Sequence, residues 1–216
     1  VNLSIPYLTP ELPGIGGTIK AIPDDFEVEE IPSYEPCGSG DHLFLWIEKR
    51  GVAAEDLSRH IGRVLEIDTG SIGVAGMKDR HALTRQFVSV PCTSSERVQA
   101  INSSDIQVLS ARAHTQKLRT GHLRGNRFRV LVRDVAADAA AACEPIREAL
   151  QRVGMPNFFG AQRFGRDQET ATIGLELLCG TRQSPPTHWS RKRFLRKLAL
   201  SAAQSVLFNR YLSRRM

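Results

Sequence analysis

Apolar residues recur along this chain with two spacings, every second residue in some stretches and every third or fourth in others, which predict strands and helices respectively. The Pro- and Gly-rich residues 1–17 read as an extended lead-in. From Thr18, TIKAIPDDFEVEEI alternates as a strand does, with Phe26 and Val28 on one face and acidic residues on the other. A two-glycine turn over residues 37–41 precedes HLFLWIEKR, whose apolar residues on both faces predict a central strand with Trp46 in the core. Residues 53–66 predict a helix, because Leu57, Ile61, Val64 and Leu65 fall in one stripe. A short apolar run ending at Val74 and Ala75 reads as a buried strand, and residues 83–90 as another. Residues 94–101 predict a short helix and residues 107–117 a strand.

The clearest alternation covers residues 126–133, with Phe128, Val130 and Val132 on one face and Arg127, Arg129 and Arg133 on the other. The apolar face is expected to be buried and the arginine face to meet anions or water. Residues 135–153 have helical spacing stopped by Gly154, with Pro145 expected to kink or restart the helix. A second helix over residues 168–179 closes at Gly180. TRQSPPTH reads as a polar linker. The last stretch, residues 190–216, predicts a helix docked by Phe194, Leu198, Ser201, Ser205, Phe208 and Leu212.

Composition supports a folded chain: 41% of 216 residues are apolar, enough for a core in one large domain or a domain and a half. Charge is uneven. Nine of the 29 basic residues and none of the 23 acidic ones follow Glu176, so the tail carries +9 and the remainder −3. A local single-sign patch suits a polyanion, although a solvated helix face is the plain alternative. The apolar side of this segment is equally what a core-packed helix shows, which ranks a membrane surface low. Cys37, Cys92, Cys143 and Cys179 have no metal-ligand spacing and read as reduced thiols of a cytoplasmic protein. No metal or redox cofactor motif is present, and no apolar run approaches the roughly 20 residues of a membrane span. Oligomeric state is not legible.

The candidate chemistry lies in AGMKDRHALTRQ, residues 75–86, which sets one carboxylate, Asp79, among cations, a glycine and polar side chains. Gly76 is expected to permit a turn or a close ligand approach where a Cβ would intrude. Lys78 and Arg80 are expected to point away from Asp79 toward something anionic, with phosphates as the obvious candidates. Thr84 and Gln86 are expected to fix the loop through hydrogen bonds. A solvated turn is the bland reading of a K-D-R triplet by itself. NFFGAQRFG, residues 157–165, reads as a tightly packed corner that positions Arg163 and is mostly structural.

The pattern G-x-K-D-R-x-A-x-T-x-Q, carried by Gly76, Lys78, Asp79, Arg80, Thr84 and Gln86, resembles one signature motif of the TruD family of tRNA pseudouridine synthases. NFFGAQRFG, with Asn157, Gly160, Gln162 and Arg163, resembles the other. KAIPDDFEVEE at residues 20–30 is similar to the family's K-x-x-P-x-D-F-x-V-x-E pattern, and GNRFRV at residues 125–130 to its G-N-x-F strand start. The resemblance implies an α+β fold, a mixed, largely antiparallel sheet with flanking helices. It implies that residues 1–181 form the N-terminal portion of the catalytic domain and residues 182–216 a basic helical start of an inserted domain, the rest of the family architecture being absent from this chain.

The implied reaction converts a tRNA uridine, at position thirteen, to pseudouridine with Asp79 as the reacting carboxylate and no cofactor. An aspartate with a reference pKa near ~3.9 is ionised at neutral pH without tuning. Attack on the sugar, attack on the base and formation of a glycal remain open. By the same resemblance Lys20 lies near the carboxylate, Phe26 shapes the uridine pocket, and Asn126 and Phe128 belong to the active site, where an aromatic suits a base taken out of its stack. A second class of function is an RNA-binding protein or fragment that binds without turnover, because the C-terminal portion expected of the family is missing.

Overall fold

The computed structural model describes residues 5–93, 95–183 and 192–216. Contacts divide the chain into two units, Gly16–Ala137 and Val1–Ile15 with Asp138–Met216. The first unit holds β1 (Gly16–Ile19), β2 (Phe26–Pro32), β3 (His42–Arg50), α1 (Ala54–Leu65), β4 (Gly73–Val74), β5 (Leu83–Pro91), α2 (Ser95–Gln99), β6 (Ile106–His114), β7 (Leu123–Val130) and β8 (Val132–Val135). Five strands follow the order β6-β3-β5-β2-β7, and β4 also pairs with β5. Only β2 and β5 run parallel; the other pairs in this sheet are antiparallel. The sheet is therefore mixed and largely antiparallel within an α+β fold, as expected.

The stretch from Thr18, read as one alternating strand, is two. A 3-10 turn at Pro23–Asp25 separates β1, which pairs with β8, from β2 in the main sheet. Pro23 supplies a preset φ, and the fully buried Asp25 carboxylate accepts the Ile22 N–H at 3.1 Å and two bonds from Arg133 at 2.7 and 2.8 Å. The alternation over residues 126–133 breaks similarly at Leu131, whose N–H is drawn to the Asp25 carbonyl at 2.8 Å.

One sheet face carries Leu45, Ile47, Val88 and Val90 against Leu57, Ile61 and Leu65 of α1, with Ile101 and Ile106 closing the cluster. The α1 stripe thus packs as its spacing predicts, each such side chain contributing about 1.5–3 kcal/mol when fully buried. On the opposite face Phe44, Phe87 and Leu118 form a second core, with Trp46 half-buried against Phe87 at 4.8 Å. The apolar face of residues 126–133 is not buried as expected, Phe128 and Val130 being 57% and 44% exposed, while Arg127, Arg129 and Arg133 find their anions inside the chain. Register sets Arg127 opposite Glu29 and Arg129 opposite Glu27, with ion pairs at 3.1 and 3.7 Å, and Arg133 on Asp25.

The second unit contains α3 (Ala139–Val153), α4 (Glu169–Cys179) and α5 (Lys192–Ser213). α3 runs through Pro145 as one helix. Most of the TRQSPPTH linker lies outside the described residues. α5 docks by a face rotated from the expected stripe: Ala199, Ala202, Ala203 and Val206 are buried, whereas Phe194 is 63% exposed. Close approach of α4 is the reason, since a Cβ on Gly174 would lie 2.0 Å from the Ala199 carbonyl oxygen, leaving room only for small side chains between the helices. NFFGAQRFG is not the tightly packed corner expected: Asn157, Phe159, Gly160, Ala161 and Gln162 are exposed and only Phe164 of the stretch is buried, so side-chain bonds rather than packing hold it. Arg163 donates to Ser205 Oγ at 3.1 Å and to Ser201 Oγ, while the Asn209 amide brackets the Phe159 backbone at 3.0 and 2.9 Å.

Candidate active site

Side-chain alternation and strand register set Phe26, Val28 and Glu30 of β2 on the same face as Thr84, Gln86 and Val88 of β5, Lys49 and Ile47 of β3, and Asn126 and Phe128 of β7. Asp79 stands on the turn between β4 and β5. At its start the buried Ala75 accepts the Gly121 N–H at 2.8 Å. The chain's own atoms do not require a glycine at position 76: a Cβ there would meet only Lys78 Nζ, at 3.9 Å.

Lys78 turns inward. Its Nζ lies 2.7 Å from Glu30 Oε2, with the two side chains only 3% and 1% exposed. The expectation of a phosphate partner is therefore overturned for Lys78, and the cause lies in the sheet. Pairing of β2 with β5 ends at Glu29 and Arg85, and β4 takes over beside β5 at Val88 and Ser89. In the gap Glu30 Oε1 accepts the Phe87 N–H at 3.3 Å, and a carboxylate buried there needs a counter-charge. Arg80 remains exposed.

The Asp79 backbone is held by a residue that the sequence reading passed over. Lys49, fully buried, donates to the Asp79 carbonyl at 2.9 Å and to the Val52 carbonyl at 2.7 Å. Burial pushes its pKa down to about 8, with the Asp79 charge opposing and the Lys78 charge assisting the shift. A signal existed: alternation in HLFLWIEKR aligns Lys49 with Leu45 and Ile47, an inward register unusual for lysine.

The Asp79 carboxylate itself is 43% exposed, and its Oδ1 lies 3.4 Å from Lys20 Nζ. Lys20 adopts a left-handed φ of 58°, a conformation costing a side-chain-bearing residue about 1–3 kcal/mol. Its ammonium also sits 3.8 Å from the centroid of the Phe26 ring. Phe26 stacks on Phe128 with centroids 5.8 Å apart and planes at 25°. Phe128 is 57% exposed, so this aromatic surface is open on one side. Asn126 Oδ1, Thr84 Oγ1 and Gln86 Oε1 are buried without a hydrogen-bond partner, so these two β5 oxygens do not fasten the loop as expected.

Ten of the sequence-derived residues thus belong to the first unit: Lys20, Phe26, Gly76, Lys78, Asp79, Arg80, Thr84, Gln86, Asn126 and Phe128. Asn157, Gly160, Gln162 and Arg163 belong to the second. Chemically, the first set presents a solvent-accessible carboxylate beside an ammonium and an aromatic stack, together with buried acceptors that have no partner among the described residues.

Comparison with known proteins bears on the family of the chain. The family model of tRNA pseudouridine synthase D (TruD) matches residues 2–184. A tRNA pseudouridine synthase D from Anaeromyxobacter dehalogenans is 43% identical over 212 residues, which are 98% of this chain and 60% of the relative. One from Geobacter metallireducens is 50% identical over 174 residues, 81% of this chain and 43% of the relative. A crystal structure of a Methanosarcina mazei protein assigned to tRNA pseudouridine synthase D superposes with a TM-score of 0.72 at 26% identity, over 96% of this chain and 54% of that one. The chain thus spans about half the length of the relatives it matches. On the strength of the family model, these relatives and the shared fold, the chain belongs to the tRNA pseudouridine synthase D (TruD) family.

Proposed function

We propose that this chain carries the N-terminal portion of a tRNA pseudouridine synthase catalytic domain over residues 1–181 and the start of an inserted basic domain over residues 182–216. Asp79 is its reacting carboxylate, and its substrate is a tRNA uridine, position thirteen by family resemblance. The carrying observation is the continuous series from the Asp79 carboxylate to Lys20 at 3.4 Å, from Lys20 to the Phe26 ring at 3.8 Å and from Phe26 to Phe128 at 5.8 Å.

Isomerisation breaks the bond between ribose C1′ and uracil N1, turns the base and joins C1′ to C5; the C5 proton leaves and N1 gains one. A detached uracil must be held while it turns. An exposed phenyl face such as Phe128 suits stacking of a base taken out of its helix. The unpaired oxygens of Thr84, Gln86 and Asn126 support the same reading, because a buried acceptor without a partner costs about 1–3 kcal/mol and uracil offers an imide N–H. Lys20 neutralises part of the Asp79 charge while the same ammonium stays over the Phe26 ring. Arg80 and the exposed cations of α5, among them Arg193, Arg196 and Lys197, suit phosphates. The residues of NFFGAQRFG support their own unit in this reading, through the bonds of Arg163 and the Phe159 backbone to α5. The four exposed, unpaired cysteines suit action in the cytoplasm, and among the described residues no helix is long and apolar enough to cross a membrane.

A second reading is a fragment that binds RNA without turnover, favoured by the 43–60% coverage of the curated relatives cited above. Pseudouridine formation in an unmodified tRNA transcript, compared between this chain and Asp79→Asn at equal RNA occupancy, separates the two. Product from the wild type only, with binding retained in the variant, supports catalysis by Asp79. Salt-sensitive binding with no product from either supports the fragment.

A further inference from the structure

The Asp79 carboxylate is accessible, yet the backbone beneath it is anchored from inside the sheet. Lys49 Nζ donates to the Asp79 carbonyl at 2.9 Å and, just beyond β3, to the Val52 carbonyl at 2.7 Å. Opposite Lys49 in register stand Thr84 of β5 and Ile106 of β6, neither of them charged. The charged groups acting on it come from the Asp79 turn: Asp79 itself and Lys78, whose own charge is matched by Glu30. A buried ammonium bonded to two carbonyls and to no carboxylate is a poor way to fill a core, and an apolar side chain of the same length would pack there without desolvating a charge. What the ammonium does that an apolar chain does not is join the two carbonyls.

We propose that Lys49 is a positioning residue for the reaction at Asp79, tying the turn to the end of β3 so that the carboxylate keeps one place relative to Lys20, Phe26 and Phe128. This rests on the function proposed above. The hold is pH-dependent. Burial brings Lys49 down to about 8, and a neutral amine donates more weakly than an ammonium. Turnover therefore falls on the alkaline side as Lys49 loses its proton.

The test compares wild type, Lys49→Met and Lys49→Arg on one unmodified tRNA transcript. It measures kcat and KM across neutral and alkaline pH, together with the rate of tryptic cleavage at the Arg80–His81 bond, which reports the turn directly. Lys49→Met is expected to lower kcat about 100-fold with KM nearly unchanged, the loss associated with about an ångström of misplacement. Tryptic cleavage after Arg80 is expected to rise about tenfold as the turn opens more often. Lys49→Arg, which stays charged, is expected to lose the alkaline fall near pH 8 seen in wild type. Wild-type kcat in Lys49→Met, or an unchanged alkaline fall in Lys49→Arg, overturns the proposal. If wild type forms no pseudouridine, the function proposed above fails separately and cleavage decides: equal rates in wild type and Lys49→Met overturn the anchoring role, a faster rate in the variant supports it. If Lys49→Met does not fold, the pH profile and cleavage rate of Lys49→Arg decide in the same way.

Discussion

Replacing Lys49 with methionine makes a stability prediction whose size depends on pH. The folded pKa of Lys49 is depressed from 10.5 to about 8 by burial, so between these values the unfolded chain binds more protons than the folded one. The destabilisation is fully present below about pH 8 and is relieved as pH rises toward the unfolded value. At about 1.36 kcal/mol per pKa unit it amounts to about 3 kcal/mol, of which about 2.5 kcal/mol is relieved between pH 7 and pH 10. Methionine removes this charge but leaves the Asp79 and Val52 carbonyls without their donor, a pH-independent loss of about 2–4 kcal/mol. The two effects offset each other at neutral pH. Lys49→Met is thus expected to match wild type at pH 7 and to be about 2–3 kcal/mol less stable at pH 10. Urea unfolding followed by Trp46 fluorescence, in a Trp189→Phe background so that the first unit alone is observed, measures the difference. Groups titrating equally in both proteins cancel. A wild-type minus variant difference that stays flat from pH 7 to pH 10 refutes the reasoning.

Glu30→Gln strands the Lys78 ammonium in the sheet gap, and a destabilisation of about 3–5 kcal/mol is expected from urea unfolding of the same unit; a loss below about 1 kcal/mol would show that the pair is not buried as described. Phe128→Leu removes a ring that is more than half exposed, so stability is expected to change by less than about 1 kcal/mol while turnover at saturating RNA falls about tenfold or more. Unchanged turnover would remove Phe128 from the stacking role.

The elements best read from sequence are those whose neighbours are close along the chain. The α1 stripe of Leu57, Ile61 and Leu65 and the two-faced strand HLFLWIEKR follow from local spacing, and both pack as the spacing predicts. Where local spacing misled, a distant residue had intervened. The strand from Thr18 is broken because Arg133 and Leu131 draw the Asp25 turn out of line. The α5 stripe is rotated because Gly174 brings α4 too close for its large side chains.

The candidate site divides in the same way. Asp79, Lys20, Phe26, Asn126 and Phe128 were legible because they stand in motifs, and the structure brings Lys20 to Asp79 and Phe26 to Phe128 across separations of 59 and 102 positions in sequence. The partner of Lys78 was not legible, because a lysine in a K-D-R triplet gives no sign of a carboxylate 48 positions away. Nor was the work of Lys49, whose inward register was visible but whose acceptor, the Asp79 carbonyl, arrives from 30 positions downstream. Periodicity, motifs and composition, properties of residues near one another in the chain, were determined by the sequence alone. Which charges neutralise one another, which backbone donors the split sheet leaves for a side chain to satisfy, and which buried oxygens stay unpaired were decided by the tertiary structure, because each depends on strand register between segments that only folding brings together.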